Sequence, residues 1–594
     1  MADNALTDST LVTYSVLVDG QEIPGHYLCI SLSVSRSINK IASARLEYMD
    51  GGSSESDDFS LSNKGLLDPG KEITIKAGYE SQEDVIFEGI IIKHSLNIDR
   101  SGNPYVMVDC KDKAVKLTVG RKNTVFKDVK DSDVISELAK NSSLKAKVSA
   151  TSTEHPELVQ HHASDWDFIL MRAEVNGLLV RTVNGELIAE APGNKKVLKV
   201  GYGTGFVSFN GEIDSRSQYK SVVSKAWDFS TQSVLEGTGS ASAESSQGDL
   251  KSDKLAEVLG LDEFRLQTPS TTNEAILKNW ASSRLTRSRL SKVTGSLKIR
   301  GNAKAEPGTL ISIDGLSDHF NGDAFIGSIN HILEDGNWVT EIGLGLSNET
   351  YAEEVPLIES PAAGGTIPPI NGLQIGVVKQ IHEDPDGNHR VQVTLPTLEQ
   401  DNMPIWARLS SFYASNGSGM FFYPEIGDEV VLGFLNDDPL SPVILGAMYS
   451  KKLVPKYTPE EENGTKSIFT KGELEIQFND KDKILTIHTP EGNKLVLDDK
   501  NKNVTIEDTA NKNKLVMSDA GISLEADKDI KISAKGNITL ESTGQTDIKA
   551  TKDLNAEGMN VSLKGTTKFA AEGTQAELKG SATTTIKGAM VQIN

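Results

Sequence analysis

Apolar and polar residues alternate in short runs along most of this chain. A period of two predicts strands that bury one face and leave the other in water. Between 12 and 118 the pattern runs through Val12, Tyr14, Val16 and Val18, through Ile73, Ile75 and Ala77, and through Val106, Val108 and Cys110. Turn residues separate the runs at Asp50-Gly51-Gly52, Asp68-Pro69-Gly70 and Ser101-Gly102-Asn103-Pro104. The period then becomes helical. Ser132 opens one helix through Val134, Ile135, Leu138 and Ala139. Ser164 caps a second, with Asp167 three residues on as its reciprocal partner; Trp166, Ile169, Leu170 and Ala173 form its apolar stripe, and Gly177 ends it. That stripe reads as a core face rather than a binding face. A low-complexity loop, 237–248, precedes a third helix over 272–290 with Ile276, Leu277, Trp280 and Leu285. Strands return at 294–299, 309–313, 324–333 and 338–346. A Pro/Gly linker, 361–372, marks a boundary, and 373–449 follows as about five short strands with a hairpin turn at Asp386-Gly387.

The last segment has a different rhythm. Ile522/Leu524, Ile530/Ile532 and Ile538/Leu540 are apolar pairs eight residues apart, and Ile548 keeps the phase. Val561/Leu563 and Phe569/Ala571 resume it after a slip. Gly536, Gly544, Gly558, Gly565, Gly573, Gly580 and Gly588 keep similar time. Residues at i and i+2 share one face of a strand, and a glycine then turns the chain. One such octad cannot bury its pair alone, whereas stacked octads cover one another along an axis. Eight residues supply about one side of a closed cross-section, at about 3.3 Å per residue. Three chains around a common axis would supply three sides and remove the open edges. The segment is therefore expected as an intertwined triple-stranded β-helix, in preference to a single-chain solenoid.

Composition narrows the function. With 594 residues the chain has room for about three to five domains. The net charge of −22 leaves no basic face for nucleic acid or for an anionic membrane surface. That charge lies upstream of the terminal segment, because 465–594 holds 18 Lys against 19 Asp and Glu. The two cysteines, Cys29 and Cys110, sit in strand-like runs and read as core residues, not as a disulfide framework. The stretch 1–14 is polar and does not read as a signal peptide, and no apolar run of about eighteen residues is present. A protein made and folded in the cytoplasm is expected.

Three stretches carry a resemblance. The first is Gly376-Val377-Val378 with Asp384-Pro385-Asp386-Gly387, Arg390-Val391-Gln392-Val393 and Pro396; the second is Ile405-Trp406-Ala407-Arg408. The third runs from Pro424-Glu425-Ile426-Gly427-Asp428-Glu429 through Val430-Val431-Leu432-Gly433-Phe434, Asp438-Pro439 and Pro442-Val443-Ile444-Leu445-Gly446. Together they resemble the OB-fold base of VgrG proteins and of contractile phage tail hub-and-spike proteins. Upstream, Ser164-Asp165-Trp166-Asp167-Phe168, Trp227-Asp228, Pro307-Gly308 and Phe325-Ile326-Gly327 with His331 are similar to the hub of that family.

The resemblance implies a mainly β protein with a first hub β-barrel at 1–120, a helical linking region at 121–230 and a second hub β-barrel at 231–360. The linker 361–372, an OB-fold domain at 373–450 and the β-helix needle at 465–594 would follow. It implies a homotrimeric structural spike, not an enzyme and without a cofactor, that punctures membranes for a contractile injection system. Partners would be an Hcp-like inner tube protein, baseplate components, effectors and a PAAR-type tip protein. The tip protein would seat on Gly588, Ala589, Met590, Val591, Gln592, Ile593 and Asn594. A type VI machine, an extracellular particle and a phage tail all fit, and so does a phage-type spike that binds glycans or degrades cell wall.

Other chemistry has weaker support. Asp384-x-Asp386-Gly387-Asn388 begins like a calcium loop but lacks the closing Glu at position twelve. His155, His161 and His162 lack metal-site spacing and read as a loop before the capped helix. Gly201-x-Gly203-x-Gly205 is not followed by a helical pattern. No HExxH and no G-x-S-x-G occurs.

Overall fold

The alternating segments fold with their apolar positions inward. The computed structural model describes residues 3–4, 11–51, 59–203, 205–241, 246–269, 272–356, 358–359, 361–397 and 403–593. The chain divides into two units, Met1–Met448 and Tyr449–Asn594. Gly52 of the first expected turn and residues 242–245 of the expected loop lie outside the described residues.

In the first unit, Cys29–Ser37, Ser43–Met49, Pro104–Lys111, Gln82–Ile98, Glu72–Tyr79 and Val12–Val18 are antiparallel neighbours in that order. Val34, Leu46, Ile75, Val106, Val108 and Cys110 meet in their core. Cys29 packs at its margin, and both thiols are free. The long strand Gly322–Glu334 joins this set to a second one. Its start pairs with Leu310–Asp314, and its later part lies between Asn337–Leu344 and Cys29–Ser37. The segments expected as two hub barrels thus share one 14-stranded sheet, and Leu333 and Trp338 of the second set pack into the core of the first.

Lys196–Gly201 and Phe206–Ile213 also belong to the second set, upstream of the boundary expected at 231. Between them and Val293–Arg300 the chain leaves the sheet as an insertion. Val222–Asp228, Ser233–Thr238 and Phe264–Thr268 form a small sheet there, and Glu274–Leu290 lies against it. The triplet Gly201-x-Gly203-x-Gly205 merely joins two strands.

The three expected helices occupy Asp131–Asn141, Asp165–Val175 and Glu274–Leu290. Ser164 Oγ accepts the Asp167 N–H at 3.1 Å, and Gly177 takes a positive φ of 69° just beyond the end. His155, His161 and His162 are not in a loop. They lie in the strand Glu154–Ala163, which pairs with Lys122–Lys130. Buried Asp131 accepts from Arg172 Nε at 2.6 Å and stands 3.0 Å from His155 Nε2. That carboxylate ties the strand and the first two helices together, which accounts for the histidine without a metal.

Gln374–Gln380, Val391–Thr394, Ile405–Leu409, Pro442–Ala447 and Glu429–Phe434 close a five-stranded barrel in that order. This is the Greek-key connectivity of an OB-fold. Val378, Val391, Val393, Val430, Leu432 and Ile444 fill it. Gly376 lets the walls meet, since a Cβ there would stand 2.9 Å from Leu432 Cδ1. The hairpin between the first two strands is held by Asp384, which accepts the N–H groups of Asp386, Asn388 and Arg390 at 3.2, 3.0 and 3.1 Å. Those bonds explain the Asp-rich turn without calcium.

The second unit departs from the octad expectation over its first half. Thr465–Phe469, Glu475–Asn479, Ile484–His488, Asn493–Asp498, Asn503–Asp508, Asn513–Ser518 and Gly521–Glu525 form an antiparallel meander within one chain. Tight turns make this local pairing possible. Asp498 and Asp508 accept the N–H groups of Asn501 and Asn511 at 2.8 and 3.1 Å, and Lys502 and Lys512 finish the turns at φ of 53° and 57°. A left-handed lysine is strained where glycine is not. Lys502→Gly and Lys512→Gly are therefore expected to raise the thermal midpoint, by up to about 1 kcal/mol per site. A fall in the midpoint in thermal unfolding would contradict these turns.

Candidate functional site: an unpaired apolar face

The meander is a single layer, and strand register sorts its side chains. Ile468, Ile476, Ile487, Leu495, Ile506, Leu515 and Leu524 are successive cross-strand partners, so they form one row across all seven strands. Phe478, Leu485, Leu497, Val504, Met517 and Ile522 form a second row two positions along. Both rows share one face. Phe478, Ile487, Leu497, Ile506 and Met517 remain about two-fifths to one-half exposed, and Ile522 and Leu524 more so. A continuous apolar face of this kind marks an interaction surface.

The opposite face is mainly polar, with Ile484, Val496 and Val516 among its apolar exceptions. Glu475, His488, Lys494, Glu507, Lys514 and Glu525 are successive partners on it, and Lys494 and Lys514 stand 3.3 and 4.0 Å from Glu507. Opposite charges placed across strands stabilise a sheet in water. At its first strands this face is covered by the segment leading into the meander. Glu475, with only 1% of its side chain exposed, accepts from Lys456 Nζ at 2.6 Å, Tyr457 OH at 2.7 Å and Ser467 Oγ at 2.6 Å, and meets His488 Nε2 at 2.9 Å. Gln477 Nε2 donates to the Tyr457 hydroxyl at 2.9 Å, and Lys456 Nζ sits 3.7 Å from the centre of the Phe469 ring. Burial alone would raise the Glu475 carboxyl, but these donors, Lys456 first, outweigh it and bring the pKa down to about 2.

Beyond Glu525 the described residues 526–593 form no strand ladder, and their side chains are exposed. Ile530, Ile532, Ile538, Leu540, Val561, Leu563 and Phe569 continue the pairwise apolar pattern there and are half or more exposed. Gly588 to Ile593 lie at the end of this stretch, with Met590 and Ile593 largely exposed; Asn594 lies outside the described residues. Among the described residues no group of three or more His, Cys, Asp or Glu could hold a metal ion. The two-row meander was missed in the sequence. Its signal was the Asp-x-x-Asn-Lys turn at Asp498 and again ten residues later at Asp508.

The upstream sheet and the closed barrel decide the family. Residues 8–335, more than half of the chain, match the family described as the Alg8 N-terminal domain. Residues 374–449 match the Type VI secretion system/phage-baseplate injector OB domain. The chain belongs to the family of the Alg8 N-terminal domain, and its closed barrel matches the injector OB domain. Among curated relatives, the type VI secretion system spike protein VgrG1c of Pseudomonas aeruginosa is 30% identical over 155 residues, which is 24% of this chain and 21% of that protein. The actin cross-linking toxin VgrG1 of Vibrio cholerae is 32% identical over 164 residues, 25% of this chain and 15% of that protein. The alignments thus span about a fifth or less of these relatives' own length. Among solved structures, a VgrG complex with PdpA from Francisella matches at 11% identity and a TM-score of 0.37, over 88% of this chain and 89% of that one. A tail protein of Neisseria meningitidis matches at 13% and 0.43, over 57% and 97%.

The Glu475 cluster yields a pH test. Its folded pKa lies below the ordinary 4.5, so its contribution is full above about pH 4.5 and is lost as pH falls from there towards 2. Hydrogen exchange of residues 450–463 is expected to stay slow down to about pH 4.5 and to quicken below it, after correction for intrinsic rates. Glu475→Gln should quicken it at neutral pH as well. Equal protection in both proteins at every pH would show that the carboxylate does not hold the segment.

Proposed function

We propose that this chain is the structural spike of a contractile injection system and works as a homotrimer. The observation that carries the reading is the thirteen-residue apolar face of the meander, continued by octads that find no partner among the described residues. Covering a fully exposed aliphatic side chain is worth about 1.5–3 kcal/mol, so the eight of these that are 37–75% exposed amount to on the order of 10 kcal/mol per chain before ordering costs. Three such sheets, apolar faces inward, make a three-sided prism whose outer faces are the Lys/Glu ladders. In the octads each backbone must pair with the other chains, which closes the rod and removes every edge. The resemblance of the OB region to VgrG and phage hub-and-spike proteins favours three chains over two in this reading.

The mechanism is mechanical. Contraction elsewhere in the machine supplies the work, and a closed rod cross-linked by backbone hydrogen bonds transmits it without bending. No residue needs to act as a catalyst in this reading. An Hcp-like tube protein and baseplate components would meet the hub. A PAAR-type protein would seat on Gly588 to Asn594 and effectors would travel with the spike. Assembly is placed in the bacterial cytoplasm, with delivery on firing. Among the described residues no helix is long and apolar enough to cross a membrane.

Light scattering on the full chain is expected to give three times 64.1 kDa. A chain ending at Glu525 should keep its meander but lose affinity for its copies, so that it dissociates on dilution. A full-length monomer at micromolar concentration, with the meander folded, would overturn the trimer.

A further inference from the structure

The OB barrel carries two exposed apolar features that do not touch each other. The first is the stretch 410–424 between its third and fourth strands, fifteen residues without one charged side chain. A small hairpin forms there, Ala414–Ser415 against Ser418–Gly419, and the Met420 N–H donates to the Tyr413 carbonyl at 2.9 Å. Its stem bears Phe412, Phe421 and Phe422, which are 98, 85 and 59% exposed. The stem is anchored, because Tyr423 OH donates to the His389 carbonyl at 3.1 Å and its ring lies 5.0 Å from that of Phe421.

The second feature is a notch on the outer wall of the barrel. Leu432 points into the core, so its neighbour Gly433 faces out. A Cβ on Gly433 would stand 3.4 Å from Leu445 Cδ1 and 3.7 Å from Leu373 Cδ2. The glycine is therefore a bare floor between two leucines, and these are 53 and 64% exposed.

We infer that these are the two halves of one interface between copies of this chain: the phenylalanines of one hairpin stem seat in the Leu373–Gly433–Leu445 notch of the next OB barrel. The inference rests on the homotrimer reading. A ring of more than two copies needs two different, complementary patches on each subunit, because its contacts are head-to-tail. The barrel offers such a pair, and neither half fills the other within one chain. Aromatic anchors in a small apolar recess are what stable interfaces use. The tip of the hairpin, Ser415-Asn416-Gly417-Ser418, is polar, and its aromatic residues lie along the stem. That placement suits a wedge laid against a protein wall, whereas a membrane-dipping loop needs an apolar tip.

The test places the photo-crosslinking residue benzoylphenylalanine at 412 in the full chain and reads solution mass and crosslinked peptides together. The expected result is a trimer by mass, with covalent two- and three-chain species on illumination joined to the 429–447 wall. The crosslink should be lost in both Leu445→Lys and Gly433→Leu while the mass stays trimeric. Gly433→Leu fills the notch from within and leaves the charge unchanged. A trimer whose probe reacts only within its own chain, or equally well in both variants, overturns this interface and leaves the trimer standing. A monomer by mass overturns the trimer and this interface with it. Capture of lipid instead of protein, when phosphatidylcholine and phosphatidylglycerol vesicles are present, overturns it in favour of a membrane contact.

Discussion

A one-layer sheet with one apolar face cannot be the end state of a folded protein, and most of this chain's C-terminal design follows from that constraint. Water will not cover the two rows from Ile468 to Leu524, and the chain supplies no second layer among the described residues. The polar face has the opposite character. Its cross-strand partners alternate in charge, and Glu475 is held by four donors at the start of the sheet. The sheet is thus marked inside from outside before any partner arrives. In the proposed trimer such a segment would meet its copies with the apolar face inward.

The two halves of the terminal unit meet the same requirement by different means. Up to Glu525 each strand pairs with its sequence neighbour, because Asp498 and Asp508 close tight turns through Asn501 and Asn511. Only side chains then need other copies. Beyond it, the octads form no strand ladder among the described residues. Association there supplies hydrogen bonds as well as apolar burial. The first half resembles a preformed wall, and the second a segment whose order depends on its neighbours.

In the hub a comparable economy appears at one strand. Gly322–Glu334 pairs with strands from both sets, so that the two cores are fastened through a shared backbone ladder. Buried Asp131 does similar work between the linking helices and the strand carrying His155. These are contacts between segments far apart in the chain. Each fastens segments distant in the chain into one compact unit.

Much of this could be read from the residues alone. Alternation located the strands and their buried faces, Ser164 and Gly177 bounded a helix, and the resemblance carried by an ordered series of short motifs implied the OB barrel expected at 373–450. Paired apolar positions also led to the expectation that other copies of the chain complete the terminal segment. Periodicity determines which face of a strand is buried, because side chains alternate by geometry. It does not determine which strand lies next door. The shared strand of the hub, the in-chain pairing of 465–525, the donors around Glu475 and the exposure of the Phe412 hairpin beside the Gly433 notch were therefore decided only in the tertiary structure. There, turns and distant segments choose among pairings that the alternating pattern alone leaves equal.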